Sequence, residues 1–200
     1  NRLDYPEAGG IATPEQYVPD SCIVDDKGNP AVWEGCQTFS GSWGYYRDEA
    51  TWKSPAQLIE LLAESVSKGG NLLLNVGPTA RGTFDDRAQA SLRTMGDWMR
   101  LNGRSVYGCT QAPAEFTAPP NTLLTWNPAT RRLYVHLLAY PLDTITLAGM
   151  AGKVKYVQFL HDASEIRFRS GNGEAAGDLV LTLPVRKPPV EIPVLELFLD

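Results

Sequence analysis

Two carboxylic acids sit where their neighbours could turn them into chemical groups. Glu15 follows Thr13-Pro14, with Tyr17 two residues on. Glu34 lies between Trp33 and Gly35, at the head of a stretch that also holds Phe39, Trp43, Tyr45 and Tyr46. A carboxyl held against aromatic rings is desolvated, which raises its pKa and keeps it protonated near neutrality, as a general acid requires. Rings around a carboxyl also suit sugars, whose C–H faces stack on aromatics while their hydroxyls need charged or amide partners. Arg2 is a candidate for such a partner. Each residue also has a plainer role open to it. Glu15 fits the third position of a Thr-Pro-Glu helix start. Glu34 fits a structural hydrogen-bond acceptor, and Trp33 and Trp43 fit core packing. Asn75, at the end of an apolar run, fits either a ligand contact or a brace for loop backbone.

Other chemistries have little to work with. His136 and His161 are the only histidines, which disfavours His-based triads and His-rich metal sites. Both fall among strand candidates and read as structural or surface residues. Cys22, Cys36 and Cys109 form no CxxC pattern, so a zinc site is not expected. One Cys22–Cys36 bridge and three free thiols fit the spacing equally well. Lys+Arg 18 against Asp+Glu 23 gives a net charge of −5 with no basic stripe, which argues against nucleic acid as a partner. No apolar run approaches the ~20 residues of a membrane-spanning helix, so no membrane partner is expected. Asp25-Asp26 and Asp85-Asp86 read as solvated turn and helix-start charges.

The elements that must position these residues fall into two regimes. Residues 1–50 read as irregular, punctuated by Gly and Pro. Ser54, Pro55 and Gln57 make a capping box that opens a helix over 54–68, with Leu58, Leu61, Leu62 and Val66 on one face. Gly69-Gly70 stops it. Asn71 to Val76 reads as a short strand buried on both faces, as in a parallel sheet covered by helices. A second helix is expected over 84–101, capped by Thr83, with Ala88, Leu92, Met95 and Met99 buried. Ser105 to Gly108 is a further short-strand candidate. This order is the tail of a βα repeat. Pro113 to Pro120 has the composition of a linker. Beyond it the hydrophobic period becomes two, with strand candidates at 123–126, 133–138, 144–147, 154–160, 166–168, 179–183 and 195–199. Short strands at this spacing suggest an antiparallel β-sandwich. The expected class is therefore α/β plus all-β.

Several runs go further than composition. Trp33-Glu34-Gly35-Cys36 is followed by Ser42-Trp43-Gly44-Tyr45, and then by Ser67-Lys68-Gly69-Gly70-Asn71-Leu72-Leu73-Leu74-Asn75-Val76-Gly77-Pro78. Trp98, Asn102-Gly103 and Val106-Tyr107 complete the series. In this order they resemble the α-L-fucosidases of glycoside hydrolase family 29, over residues 1 to about 110. The glycine-asparagine-leucine run ending in Gly77-Pro78 is the most specific part. The resemblance implies a retaining exo-glycosidase that removes terminal α-L-fucose from glycans or glycosides without metal or organic cofactor. It implies a C-terminal part of an irregular (β/α) TIM-like barrel over 1–110 and a β-sandwich domain over 111–200. Glu15 and Glu34 both match places where the family's acid/base is found. Glu15 is favoured, because loops after barrel strands carry catalytic groups. Arg2 matches a sugar-binding arginine, and Trp43 an aromatic that packs on the sugar's apolar side. A secreted, periplasmic or lysosomal-type compartment fits the resemblance.

One departure shapes the expectation. The family's nucleophile lies in a Trp-(Phe/Ser)-Asp-Gly stretch upstream of the Arg2 position, and its active-site histidines lie upstream as well; neither is in these residues. The chain opens on Asn1-Arg2-Leu3 with neither an initiator Met nor a leader, and reads as cut from a longer parent. The expected partners are a fucosylated substrate and the missing N-terminal barrel half, in the same parent or in a companion chain. By itself the chain is expected to be inactive. The alternative reading is a non-catalytic carbohydrate-binding or interaction module, in which the carboxylates do nothing.

Overall fold

A computed structural model describes residues 10–200. The chain divides into two compact units, with the division between Met99 and Arg100. Arg2 lies outside the described residues.

In the first unit, β1 (Ile11–Ala12), β2 (Val32–Thr38) and β3 (Asn71–Asn75) form a parallel sheet in that order. Helix α1 (Pro55–Ser67) connects β2 to β3, and α2 (Asp86–Asn102) follows. The β1–β2 register pairs Ala12 with Trp33, and the same offset recurs in the bridge between Glu15 and Cys36. Gln16 N–H donates to Cys36 O at 2.9 Å, and Cys36 N–H to Pro14 O at 2.8 Å. Strand pairing therefore runs on past Ala12 and carries Glu15 with it. Residues 1–50 are thus not irregular throughout, since Val32–Thr38 within them is the central strand. Three parallel strands are an open sheet, so a closed (β/α) barrel is not present in the described residues.

Side chains alternate along a strand, and here the alternation separates two unlike faces. Ala12, Trp33, Gly35 and Gln37 are buried on one. On the other, Ile11 is 56%, Val32 59% and Leu73 44% exposed. The expectation of a β3 buried on both faces is corrected accordingly: among the described residues, the face toward α1 is the covered one.

The turn between α1 and β3 explains its glycines. The capping box at Ser54 and Gln57 forms as expected. Gly69 takes φ +76°, the left-handed conformation that ends a helix. Gly70 N–H donates to Ser65 O at 2.9 Å, which folds the chain back under the helix. A Cβ on Gly70 would lie 2.1 Å from the Trp33 ring, so only glycine lets the indole close this notch. Trp33 Nε1 donates to Lys68 O at 3.3 Å, and Asn71 Nδ2 to Trp33 O at 3.2 Å.

Two details of α2 differ from the sequence reading. Its cap is Asp85, whose Oδ1 accepts Arg87 N–H at 2.8 Å; Thr83 instead closes a turn with Thr79. Its fully buried positions are Ala88, Trp98 and Asn102, with Ser91 nearly so, while Leu92, Met95 and Met99 are half-buried.

The second unit is antiparallel throughout. A five-stranded sheet has the order β4-β5-β6-β11-β8, from β4 (Thr110–Gln111), β5 (Thr122–Asn127), β6 (Arg132–Leu137), β8 (Val154–Phe159) and β11 (Val194–Leu199). A three-stranded sheet has the order β7-β10-β9, from β7 (Thr144–Leu147), β9 (Arg167–Ser170) and β10 (Leu179–Thr182). The two share one core, to which Leu133, Val135, Leu195 and Leu197 contribute from the larger sheet and Ile145, Leu147, Leu179 and Leu181 from the smaller. The Ser105–Gly108 strand candidate is not a strand. A 3-10 turn occupies Gly103–Ser105, and Gly108 turns with φ +71°. The 113–120 segment is not a free linker either, because Phe116 packs on the core and meets Trp126 edge to face at 6.2 Å.

The odd-numbered residues of β6 fill that core, so the even ones face away, toward a buried polar layer. Glu196 on β11 accepts Gln158 Nε2 at 2.6 Å, Arg104 at 3.0 Å and the Tyr134 hydroxyl at 3.2 Å. Burial, reinforced by the Glu196 charge, pushes the Tyr134 phenol up. His136 is fully buried, and burial holds its imidazole at about 3 instead of 6.5. The Thr125 hydroxyl donates to Ser105 O at 2.7 Å and lies 3.0 Å from His136 Nε2. A hydroxyl has one proton, so Nε2 carries its own and donates to Thr125. Cys22, Cys36 and Cys109 are all free thiols.

Two tests follow. Gly70→Ala drives a methyl into the Trp33 ring and should cost at least about 2 kcal/mol in chemical denaturation; a change within 0.5 kcal/mol, on the order of a surface substitution, contradicts the notch. For His136 the folded value lies below the unfolded one, so its contribution is complete above about 6.5 and lost as pH falls toward 3. Between pH 7 and pH 5 that loss is about 2 kcal/mol. Denaturation curves of His136→Gln should lack this component; parallel pH curves for the two proteins would contradict it.

Candidate functional site

Parallel sheets put their chemistry at the carboxyl ends of the strands, where the loops gather. In the first unit those ends are Glu15-Gln16, Thr38-Phe39 and Asn75-Val76. The register that pairs Thr38 with Asn75 brings β2 and β3 to the same level. Phe39 N–H donates to Asn75 O at 3.3 Å and continues the ladder past Thr38.

Glu15 and Glu34 face the same way. Glu15 is level with Cys36, and Glu34 precedes Cys36 by two residues on the same face of β2. Strand spacings then put their α-carbons about 8 Å apart on the open side of the sheet. Glu15 is exposed and Glu34 half-buried. The ring expected to shroud Glu34 does not do so, because Trp33 is its neighbour along the strand and points to the opposite face. Glu15 is nearer the carboxyl edge. It is followed at once by Gln16 at φ +63°, a conformation that costs a non-glycine residue energy and is enriched at functional positions. Gln16 Nε2 donates to Thr38 Oγ1 at 3.3 Å, which ties this turn to the end of β2. Thr38 Oγ1 in turn donates to Ser40 O, and Lys53 Nζ donates to Thr38 O at 2.8 Å. Burial pushes the Lys53 ammonium down.

The aromatic segment beyond β2 is a tied loop. Asn75 Nδ2 donates to Trp43 O at 2.6 Å, so Asn75 braces loop backbone. A Cβ on Gly77 would lie 2.6 Å from Gly44 C and Tyr45 N, which makes the glycine a condition of this approach. Trp43, Tyr45 and Tyr46 remain exposed. A small cavity in this loop is lined by Phe39, Ser42, Tyr45, Glu49, Trp52 and Asn75, among others.

Two residues that the sequence reading passed over hold this loop. Glu49 accepts Thr51 Oγ1 at 2.6 Å, Thr51 N–H at 2.8 Å and Ser42 Oγ at 2.9 Å. These donors, Thr51 foremost, hold its carboxyl down at about 2. Arg87, at the start of α2, donates to Glu49 O and Arg47 O at 3.1 Å each and stacks over Trp52 at 4.7 Å. The signal for Glu49 was an acid two residues before a threonine in a polar turn. Locally Arg87 pairs only with Asp85 at 2.9 Å; nothing local marks its ties to the loop, because those partners lie some forty residues away.

Residues 2–104 match the family model described as alpha-L-fucosidase. The human plasma alpha-L-fucosidase is 36% identical over 138 residues, covering 66% of this chain and 28% of that protein. The human tissue alpha-L-fucosidase is 32% identical over 166 residues, covering 74% and 34%. Among solved structures, alpha-L-fucosidase isoenzyme 1 from Paenibacillus thiaminolyticus superposes with a TM-score of 0.86 at 36% identity, over 95% of this chain and 45% of that one. A family 29 enzyme from Bacteroides thetaiotaomicron, trapped as a covalent intermediate with 2-fluoro-fucosyl fluoride in a Glu-to-Gln mutant, matches at 0.78 and 25% identity over 94% of this chain and 42% of that one. The chain belongs to the alpha-L-fucosidase family, glycoside hydrolase family 29. It spans about a third of the length of the curated relatives it matches.

The tied loop gives a further test. Gly77→Ala should force residues 43–46 off the end of β3, raising their amide hydrogen exchange by an order of magnitude or more while the antiparallel unit exchanges as before. Unchanged exchange at these residues would contradict the close approach.

Proposed function

We propose that this chain is the C-terminal portion of a retaining exo-glycosidase that releases terminal α-L-fucose from glycans or glycosides. On this reading residues 1–110 are the last segments of a (β/α) barrel and 111–200 a β-sandwich domain. The open face bearing Glu15 and Glu34 looks into the barrel. The observation that carries the proposal is that both acids share the one face of the parallel sheet left uncovered. That face also exposes Ile11, Val32 and Leu73, apolar surface that a parallel sheet normally buries. More chain, from the same parent or a companion, would cover it and bring the nucleophile; without it the chain is inactive.

The chemistry needs two carboxyls about 5–5.5 Å apart across the scissile bond. An aspartate on the additional chain attacks the anomeric carbon as the glycosidic C–O bond breaks, and Glu15 gives its proton to the leaving oxygen. Glu15, now a carboxylate, takes a proton from water; the water oxygen bonds to the anomeric carbon, and the ester to the aspartate breaks. Glu34 is the second choice for this role. Arg2 is assigned to the sugar's hydroxyls and Trp43 to its apolar side. The scheme calls for no metal or organic cofactor.

In the full-length protein, Glu15→Gln should slow hydrolysis of a chromogenic α-L-fucoside by about 100-fold, with azide restoring turnover. Glu34→Gln should cost less than about tenfold. Rescue confined to Glu34→Gln would reverse the assignment. A full-length protein that binds fucosides without hydrolysing them would favour the binding-module reading instead.

A further inference from the structure

The loop from Phe39 to Trp52 combines two features. It exposes three aromatic rings, Trp43, Tyr45 and Tyr46, and it is held at almost every turn. Exposed rings on a mobile loop lose conformational freedom when they bind; rings already fixed do not, so fixation favours affinity. Four ties do the fixing. Asn75 holds Trp43 O, and Gly77 admits the Gly44–Tyr45 backbone. Arg87 holds the carbonyls of Arg47 and Glu49. The fourth tie is the Glu49 carboxylate, which joins the two stems of the loop through side chains. On the outgoing stem it takes Ser42 Oγ on Oε2 at 2.9 Å. On the returning stem it takes both the hydroxyl and the N–H of Thr51 on Oε1. Thr51 Oγ1 passes the constraint on by accepting Gly41 N–H at 3.0 Å. A methyl at Gly41 would meet that same Oγ1 at 2.6 Å, so the stems are also in van der Waals contact there.

We propose that Glu49 is a positioning residue for substrate binding: its carboxylate closes the loop stems and presents Trp43, Tyr45 and Tyr46 as a preformed surface for the apolar face of a sugar and its attached aglycone. Glu49 touches no reacting atom. Its three acceptor contacts are spent inside the loop, on Thr51 and Ser42. Its loss should therefore weaken binding and leave bond breaking alone. This inference rests on the fucosidase reading, and the experiment separates the two.

The test is steady-state kinetics of the full-length protein on an aryl α-L-fucoside, with wild type, Glu49→Gln and Ser42→Ala. Glu49→Gln keeps the shape and removes the charge; Ser42→Ala removes one donor and should fold whatever the fate of the first variant. The expected result is a KM raised about tenfold or more in Glu49→Gln and about threefold in Ser42→Ala, with kcat within twofold in both. Glu49→Asp, which restores charge on a shorter stem, should recover part of the loss. Amide exchange at residues 41–51 should rise in step with KM. Unchanged KM in both variants, or a loss carried by kcat, overturns the positioning role while wild-type turnover keeps the fucosidase reading intact. Wild-type protein without fucosidase turnover overturns that reading, and with it this inference.

Discussion

Trp33 is sealed under the turn that joins α1 to β3, and a strand cannot turn one side chain inward without turning its neighbours outward. Most of the first unit's organisation follows from that constraint. Burying the indole requires a notch, and the notch requires glycine at position 70. The peptide carbonyl of Trp33 and its ring nitrogen are then satisfied by Asn71 and Lys68, so the residue is fixed in place as well as in register. With Trp33, Gly35 and Gln37 committed to the helix side, Glu34, Cys36 and Thr38 must face the other way. The parallel pairing with the first strand extends the same parity to Glu15. A one-residue slip would exchange the two sets and put both acids into the helix layer.

The carboxyl edge of the sheet is built by a different means. There the backbone leaves regular pairing, and its polar groups are met by side chains: Asn75 on Trp43 O, Lys53 on Thr38 O, Arg87 on two loop carbonyls. Burial is confined to Thr38, Phe39 and Ser40 at the strand end, and the rest of the loop stays wet. Hydrogen bonds to charged groups do most of the positioning, which lets the aromatic rings stay in solvent without the loop losing its shape. The antiparallel unit follows the opposite logic. Its two sheets share a wholly apolar core, and its charged network at Glu196 is kept to the outer face of the larger sheet.

Much of this was legible in the residues. Helix α1 announces itself through Ser54, Pro55 and Gln57, because capping is local chemistry. The antiparallel strands announce themselves through period two, because each has one wet or polar face and one dry one. The family itself was legible in the glycine-asparagine-leucine run, each of whose unusual residues turns out to have a packing or bracing task. The central strand β2 was hidden, because Glu34-Gly35 interrupts its apolar run and its stability comes from partners some twenty residues before it and almost forty after. The environment of Glu34 was misread for a related reason: adjacency in sequence suggested a carboxyl against an indole, and strand alternation separates them. Phe116 was mistaken for part of a linker, since proline and alanine around it mask a ring that packs on a distant Trp126. The loop braces Glu49 and Arg87 leave no helix or strand period: the Glu49 carboxylate is spent on Ser42 and Thr51 within its own loop, and Arg87 reaches backbone carbonyls some forty residues away.

On the proposed reading, the open face of this sheet carries the proton-handling carboxyl and the attacking carboxylate comes from chain outside these residues. Its most direct test is covalent labelling of the full-length protein with 2-fluoro-fucosyl fluoride, followed by peptide mapping of the ester. The label is predicted to fall on a carboxylate outside the sequence from Asn1 to Asp200. A label on Glu15, Glu34 or any other acid of this chain would contradict it.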